Sequence, residues 1–89
     1  MTIEDARELF AASVRELAGA GLLPPDLRDF SVTPGLRMAD LPIDSAGRMG
    51  LVSEIETRGQ LSLPLDDIVS VETVDDFARL LVRSSGTAS

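Results

Sequence analysis

Apolar residues recur at helical spacing near both ends of the chain. Within residues 2–18 they fall on one arc of a helix, at about 100° per residue. These positions are Ile3, Ala6, Leu9, Phe10, Val14 and Leu17. Thr2 followed three residues later by Asp5 resembles a capping box, and "GAG" at 19–21 supplies a stop. The pattern predicts an amphipathic helix over residues 2–18.

The segment "TVDDFARLLVR", residues 73–83, repeats this pattern. Thr73 and Asp76 stand at the spacing of a capping box. The apolar stripe consists of Val74, Phe77, Ala78 and Leu81. A second amphipathic helix is therefore predicted. Because "SSGTAS" is small and polar, we expect a folded domain over residues 1–83 and a disordered tail over 84–89.

Four prolines prevent a continuous helix between the first helix and residue 45. They are Pro24, Pro25, Pro34 and Pro42. The same stretch carries too many large apolar residues for a free linker, so we expect a packed loop with a helical turn near residues 26–30. A second short turn is predicted around residues 66–69, within "LSLPLDDIVS". Since no segment alternates as a strand does, the chain is predicted to be all-α.

Residues 45–58 form a third helical pattern, which Gly59 is expected to end. Arg48 interrupts the apolar arc, with a stem that can lie along the core edge and a head in water. That arc contains Met49, Leu51, Val52 and Ile55. The opposite arc contains Ala46, Gly47, Gly50, Ser53, Glu54 and Thr57. Because an interior glycine costs about 1 kcal/mol relative to alanine, this arc is either a tolerated weakness or a surface that another molecule approaches closely.

Asp44 and Ser45 stand immediately before this pattern. Both residue types are favoured N-caps, worth about 1 kcal/mol, so the pair can serve simply to begin a helix. Neither completes a capping box, because Gly47 and Arg48 stand three residues later. A helix N-terminus also favours an anionic group, including a phosphate carried on Ser45. These residues alone leave both interpretations open.

The chain lacks the side chains on which most catalytic and metal-binding sites depend. The 89 residues include no Cys, His, Lys, Trp or Tyr, which excludes thiol nucleophiles, imidazole bases, Schiff-base amines and soft metal ligands. Adjacent carboxylates at 66–67 and 75–76 point apart on a helix, and no calcium-binding loop occurs. We therefore expect a protein that is not an enzyme and has no metal site.

The net charge of the chain limits the kinds of molecule that it is expected to bind. Fifteen acids and eight arginines give a net charge of -7 and a pI near 4.3. This charge disfavours nucleic acid and anionic membranes, and it either favours basic patches on other proteins or serves solubility alone. No stretch reaches about 18 apolar residues, and the N-terminus lacks the pattern of a signal peptide. We expect a cytoplasmic protein.

Residues 43–81, "IDSAGRMGLVSEIETRGQLSLPLDDIVSVETVDDFARLL", resemble the second half of an acyl carrier protein. The shared order is an Asp-Ser pair opening a helix, Leu-Val followed by an acid, an apolar-Pro step and a Thr-Val start to the last helix. The resemblance implies a small bundle of three longer helices and one short helix. It also implies that Ser45 carries a 4′-phosphopantetheine arm, added from coenzyme A by a separate phosphopantetheinyl transferase, with Asp44 as the neighbouring acid of the motif.

The same resemblance implies a docking surface. In acyl carrier proteins the helix that opens at the serine binds basic patches on partner enzymes. Here that indicates Glu54 and Glu56, together with the small residues Ala46 and Gly50. The implied partners are acyltransferases, ketosynthases or acyl-activating enzymes, and a monomer is expected. The missing Cys agrees with this resemblance, because the arm brings the thiol on which an acyl group is held as a thioester.

Three positions depart from the fatty-acid carriers that the segment resembles. Ala46 stands where those carriers usually have leucine, Gly50 where they usually have glutamate, and Gly59 where an apolar or aromatic residue is expected. These departures favour a carrier of a polyketide or related specialised-metabolite pathway. The length suits a discrete carrier, but an excised megasynthase domain would have a similar sequence. The alternative function is an arm-less helical adaptor that binds proteins through its acidic face.

Overall fold

The computed structural model describes residues 1–86, which form four α-helices joined by loops. The helices are α1 Ile3–Gly19, α2 Ser45–Gly59, α3 Leu65–Ile68 and α4 Val74–Gly86. Within the described residues there is no strand, only one isolated antiparallel bridge between Arg37 and Thr73. The predicted all-α fold of three longer helices and one short helix is confirmed. The short α3 begins one residue before the turn predicted at 66–69.

α1 begins where the sequence pattern predicts. Thr2 Oγ1 accepts a hydrogen bond from the Asp5 N–H at 3.1 Å, and Asp5 Oδ2 accepts one from the Thr2 N–H at 3.3 Å. This capping box satisfies N–H groups that the start of a helix leaves without partners. Just beyond the helix, Gly21 has a φ of +82°, a conformation that glycine adopts at little cost. Both the predicted start and the glycine stop are confirmed.

The core is built around Phe10 of α1. Its ring packs edge-on against Phe77 of α4, with centroids 5.3 Å apart, and lies 6.0 Å from the ring of Phe30 in the α1–α2 connection. Such aromatic pairs contribute about 0.5–1.5 kcal/mol beyond the area they bury. The predicted apolar faces of the three longer helices contribute residues to this cluster, among them Phe10, Leu17, Val52, Ile55, Phe77 and Leu81. The core therefore joins α1, α2 and α4.

The connection between α1 and α2 is a packed loop, as predicted. It contains two 3₁₀ turns, Pro25–Asp29 and Met38–Asp40. The first matches the turn predicted near residues 26–30, whereas the pattern does not predict the second. Its buried side chains are Leu23, Leu27, Met38 and Leu41. Burial of these side chains compensates for the entropy lost when a long loop is ordered.

Backbone hydrogen bonds fix this connection to the start of α4. The Met38 N–H donates to Glu72 O at 2.8 Å, and the Val74 N–H donates to Leu36 O at 2.9 Å. Because the loop is held at this point as well as by its buried side chains, the chain enters α2 from a defined position.

α4 begins with the second predicted capping box. Thr73 Oγ1 accepts a hydrogen bond from the Asp76 N–H at 3.0 Å, and Asp76 Oδ2 accepts one from the Thr73 N–H at 3.2 Å. Hydrogen bonds from Arg79 and from Thr73 hold the pKa of Asp76 below its usual value. Because this pKa is lowered in the folded state, the stabilisation is present at neutral pH and is lost as the pH falls through the folded-state pKa.

α4 also continues beyond its predicted end. The predicted disordered tail begins at residue 84, but the helix includes Ser84 and Ser85 and ends at Gly86. Ser85 Oγ donates to Val82 O at 2.9 Å, and extending an existing helix avoids the cost of nucleation. The rest of the predicted tail, residues 87–89, lies outside the described residues.

The end of α2 differs from the prediction in its physical cause. Gly59 still belongs to the helix, and the left-handed residue that follows is Gln60, with a φ of +54°. A Cβ on Gly59 would lie 2.9 Å from Leu9 Cδ2 and 3.1 Å from Leu61 Cδ2. Glycine therefore lets α1 and the α2–α3 loop pack closely against this turn.

Replacing Ile55 by alanine tests this packing. Ile55 is fully buried at the centre of α2, so Ile55→Ala should lower the free energy of unfolding by about 2–5 kcal/mol. The measurement is urea denaturation followed by circular dichroism. The matched control is Met49→Ala on the same helix, which is 52% exposed and should change the stability by less than about 0.5 kcal/mol. An unchanged midpoint for Ile55→Ala would contradict this placement of α2.

Candidate functional site

Asp44, not Ser45, is the N-cap of α2. Asp44 has an extended backbone, with φ of -83° and ψ of -177°, and its Oδ1 accepts a hydrogen bond from the Gly47 N–H at 2.7 Å. Its carbonyl oxygen accepts the first helical bond from the Arg48 N–H at 2.9 Å. A short aspartate side chain suits this position because it reaches the N–H groups of the first turn. The helix therefore begins at Ser45.

Ser45 occupies the first position of α2 with an exposed side chain. Within residues 1–86, no hydrogen bond involves its hydroxyl group. The cap is thus complete without this serine, and simple helix capping does not account for its side chain. The Ser45 hydroxyl is available to react, at a helix end whose partial positive charge favours an attached anionic group.

Gly47 has a structural role that the sequence pattern does not reveal. It was expected on the exposed arc of the helix, but it is half-buried. A Cβ there would lie 2.9 Å from Ile43 Cγ2 and 3.0 Å from Leu23 Cδ2. The missing side chain lets the α1–α2 connection lie against the first turn of α2. The expectation that Gly47 belongs to an open surface is therefore wrong.

Gly50 differs from Gly47 because it is exposed, and a Cβ added to it would meet no atom within 4 Å. It lies on an exposed surface of α2 without charged residues, which we call the neutral stripe. The neutral stripe consists of Ala46, Met49, Gly50, Ser53 and Thr57. Met49 was expected on the apolar, core-facing arc but is 52% exposed. The packing of this protein does not explain a glycine at position 50.

The two acids expected to bind partners lie on opposite flanks of the neutral stripe. Glu54 Oε2 lies 3.4 Å from Arg58 Nη2, one turn later in α2. Glu56 Oε2 accepts a hydrogen bond from the Leu63 N–H at 2.8 Å and thereby holds the α2–α3 loop. Both carboxylates are half-buried and already have partners within the chain. The surface next to Ser45 is therefore less acidic than the net charge suggests.

An apolar groove of about 310 Å³ borders the neutral stripe. Its lining consists of Leu17, Leu22, Leu23, Asp44, Ala46, Gly47 and Gly50. Leu22 is 69% exposed at this edge. The sequence pattern does not separate Leu22 from the buried Leu23 beside it, because the two leucines are adjacent and precede two prolines. Together, the groove and the neutral stripe form a largely uncharged, partly concave surface close to Ser45, where another molecule could make apolar contacts.

Neither a cluster of metal-binding side chains nor a membrane-spanning helix is found in the described part of the chain. Residues 1–86 contain no group of three or more carboxylates arranged to hold a metal ion. No helix among these residues is long and apolar enough to cross a membrane.

Comparison with known proteins supports the resemblance seen in the sequence. A "Probable acyl carrier protein" of Caulobacter vibrioides (strain NA1000 / CB15N) is 40% identical to this chain over 42 residues. The match covers 47% of this chain and 49% of that protein, so the chain spans about half the length of the curated relative it matches. No family model matches the chain, and a search of solved structures found no significant match. The similarity supports the acyl carrier family for about half of the chain.

The two glycines at the start of α2 should respond differently to alanine. Gly50→Ala adds a side chain in open space, so helix propensity alone should stabilise the protein by about 1 kcal/mol. Gly47→Ala should lack this gain, because its Cβ must displace Ile43 or Leu23. Thermal denaturation of both variants beside the wild type provides the measurement. Equal stabilisation by the two substitutions would contradict the packing around Gly47.

Proposed function

We propose that this chain is an acyl carrier protein that holds acyl groups as thioesters on a 4′-phosphopantetheine arm attached to Ser45. The observation that carries the proposal is the exposed Ser45 hydroxyl, which stays free while Asp44 caps the helix. The similarity to a probable acyl carrier protein supports it. The proposed carrier domain covers residues 1–83, and α4 continues to Gly86.

The residues around Ser45 fit such an arm. The hydroxyl lies at the surface with no partner among the described residues, so a bulky group can be attached without unpacking the core. The start of α2 places positive partial charge next to the phosphodiester that would result. When attached, the arm supplies a thiol, which a chain without Cys cannot supply itself.

Attachment would be a phosphoryl transfer carried out by a phosphopantetheinyl transferase. The Ser45 oxygen forms a bond to the phosphorus that bears the pantetheine, and the bond from that phosphorus to the bridging oxygen of the coenzyme A pyrophosphate breaks. The adenosine 3′,5′-bisphosphate part leaves, and a base of the transferase takes the hydroxyl proton. This chain contributes the positioned hydroxyl and the docking surface, and it is not itself an enzyme.

The neutral stripe and the apolar groove are the proposed docking surface for partner enzymes. A cognate acyltransferase, ketosynthase or acyl-activating enzyme would approach Ala46 and Gly50 closely, because neither presents a large side chain. Basic patches on the partner would meet Glu54 or Glu56 at the flanks, and the net charge of -7 would speed encounter. Since this surface departs from that of fatty-acid carriers, we assign the protein to a polyketide or other specialised-metabolite pathway, acting in the cytoplasm as a monomer.

Intact mass spectrometry tests the attachment. The protein is incubated with coenzyme A and a permissive phosphopantetheinyl transferase, and its mass should increase by one phosphopantetheine. Ser45→Ala should abolish the increase without changing the helical circular dichroism, because Asp44 still caps α2. The control Ser62→Ala removes an exposed serine of the α2–α3 loop, outside the neutral stripe, and should be modified like the wild type. A wild-type protein that gains no mass would overturn the proposal and favour the arm-less adaptor.

Acyl loading tests the docking surface. Gly50→Glu should stabilise the free helix slightly, yet slow loading by the cognate acyltransferase at least tenfold, which corresponds to about 1.4 kcal/mol of lost transition-state binding. Gly50→Gln adds similar bulk without charge and should slow loading to a similar extent. If both variants load at the wild-type rate, Gly50 is a tolerated weakness and not part of a docking surface.

The acidic flanks are tested separately from the neutral stripe. Glu54→Gln should slow loading mainly at low salt, because the lost charge acts on the association rate. Glu56→Gln removes the same charge but also weakens the bond to the Leu63 N–H, so its thermal midpoint must be measured in parallel. If Glu54→Gln is loaded at the wild-type rate and with the wild-type salt dependence, Glu54 does not belong to the docking surface.

A further inference from the structure

Arg48 is a half-buried cation without an acidic partner. Within residues 1–86, ion pairs join acids to Arg7, Arg15, Arg58 and Arg79. The other unpaired arginines, Arg28, Arg37 and Arg83, are exposed, so water can solvate their charge fully. Partial burial is what an arginine shows when its aliphatic stem lies along apolar surface, but it leaves the guanidinium group without an anion.

The position of Arg48 on α2 places it next to Ser45. Residues three apart lie on neighbouring positions of a helix surface, and helical side chains lean toward the N-terminus, so the long side chain of Arg48 can reach the turn that contains Ser45. Asp44 is the acid nearest in the chain, yet its carboxylate accepts from the Gly47 N–H at 2.7 Å and forms no ion pair with Arg48. The guanidinium group therefore has no carboxylate partner among the described residues, at a helix position next to that of Ser45.

A phosphodiester on Ser45 would need a counter-charge at this place. It would add a negative charge beside the Asp44 carboxylate, in a protein whose net charge is already -7. Arg48 is the only cation in the six residues on either side of Ser45. Guanidinium groups bind phosphate oxygens through paired N–H donors, and they do so more effectively when part of the side chain is already held by packing.

We propose that Arg48 binds the phosphodiester of the arm on Ser45 and thereby orients the arm relative to α2. This inference rests on the proposed function, because it assigns a residue that positions the prosthetic group. Because Arg48 is half-buried, its side chain is less free than that of an exposed arginine, and less entropy is lost when it binds the phosphate. Arg48 thus acts as an anchor at the base of the arm, while the thiol end stays free to reach partner enzymes.

A comparison of apo and holo forms tests the contact without using activity. Thermal midpoints are measured before and after arm attachment for the wild type, Arg48→Gln, Arg48→Lys and Arg37→Gln. The difference between holo and apo midpoints cancels any effect of the substitution on the fold itself. In Arg48→Gln, the holo midpoint minus the apo midpoint should be roughly 2–4 °C lower than in the wild type.

The controls separate charge from packing. Arg48→Lys keeps the charge but not the paired N–H donors and should retain only part of the coupling, whereas Arg37→Gln removes an exposed, unpaired arginine beside the start of α4 and should match the wild type. In about 1 M salt, where the screening length is about 3 Å, the difference between Arg48→Gln and the wild type should shrink. In the wild-type protein the side-chain Nε–H signal of Arg48 should shift in NMR spectra when the arm is attached.

The outcomes are distinguishable. If the wild type cannot be modified, the proposed function fails, and this inference fails with it. If the wild type is modified but Arg48→Gln shows the wild-type difference between holo and apo midpoints, only the inference fails. If Arg48→Gln does not fold, the Nε–H signal of wild-type Arg48 decides, and an unchanged signal on arm attachment would overturn the contact.

Discussion

The hydrogen bond from the Gly47 N–H to Asp44 Oδ1 determines how Ser45 is presented. At 2.7 Å it is the interaction that begins α2, and caps of this kind are worth about 1 kcal/mol. If serine were the cap instead, its hydroxyl would be consumed by the helix start. Because Asp44 takes that role, the serine moves to the first helical position with its side chain in solvent. Asp44 therefore caps the helix, and the adjacent Ser45 keeps its hydroxyl free.

This arrangement depends on packing elsewhere in the chain. The missing side chain of Gly47 gives room for Ile43 and Leu23, so the α1–α2 connection lies against the first turn of α2. That connection is in turn fixed to α4 by the backbone bond from the Met38 N–H to Glu72 O. The position of Ser45 thus follows from the core, although the serine itself contributes nothing to it. A small domain can in this way hold a flexible group on a well-defined base.

Periodicity and capping residues predicted most of the fold. Thr2 with Asp5, and Thr73 with Asp76, form the two capping boxes that their spacing indicates. These predictions succeed because capping acts over a few residues and depends little on the rest of the protein. The apolar stripe of α1 points to the core for a related reason, since the helical period alone decides which residues share a face.

The details that the sequence pattern does not show depend on contacts between distant parts of the chain. A helical wheel places Gly47 on an outer arc, but only the folded connection shows that Ile43 fills the space beside it. In the same way, the sequence pattern indicates that Gly59 ends a helix, but it does not show that the missing side chain lets Leu9 pack closely against this turn. The pattern also does not show that the Glu56 carboxylate accepts a hydrogen bond from the Leu63 N–H. No local pattern carries this information.

Among the nine serines of the chain, we propose Ser45 alone as the site of modification. Proteolysis of the wild-type protein after treatment with coenzyme A and a permissive transferase, followed by fragmentation mass spectrometry, locates the added group directly. Only the peptide containing Ser45 should carry phosphopantetheine, while peptides containing Ser53 or Ser62 should remain unmodified. An added group on any other serine, or on none, would contradict the assignment of Ser45.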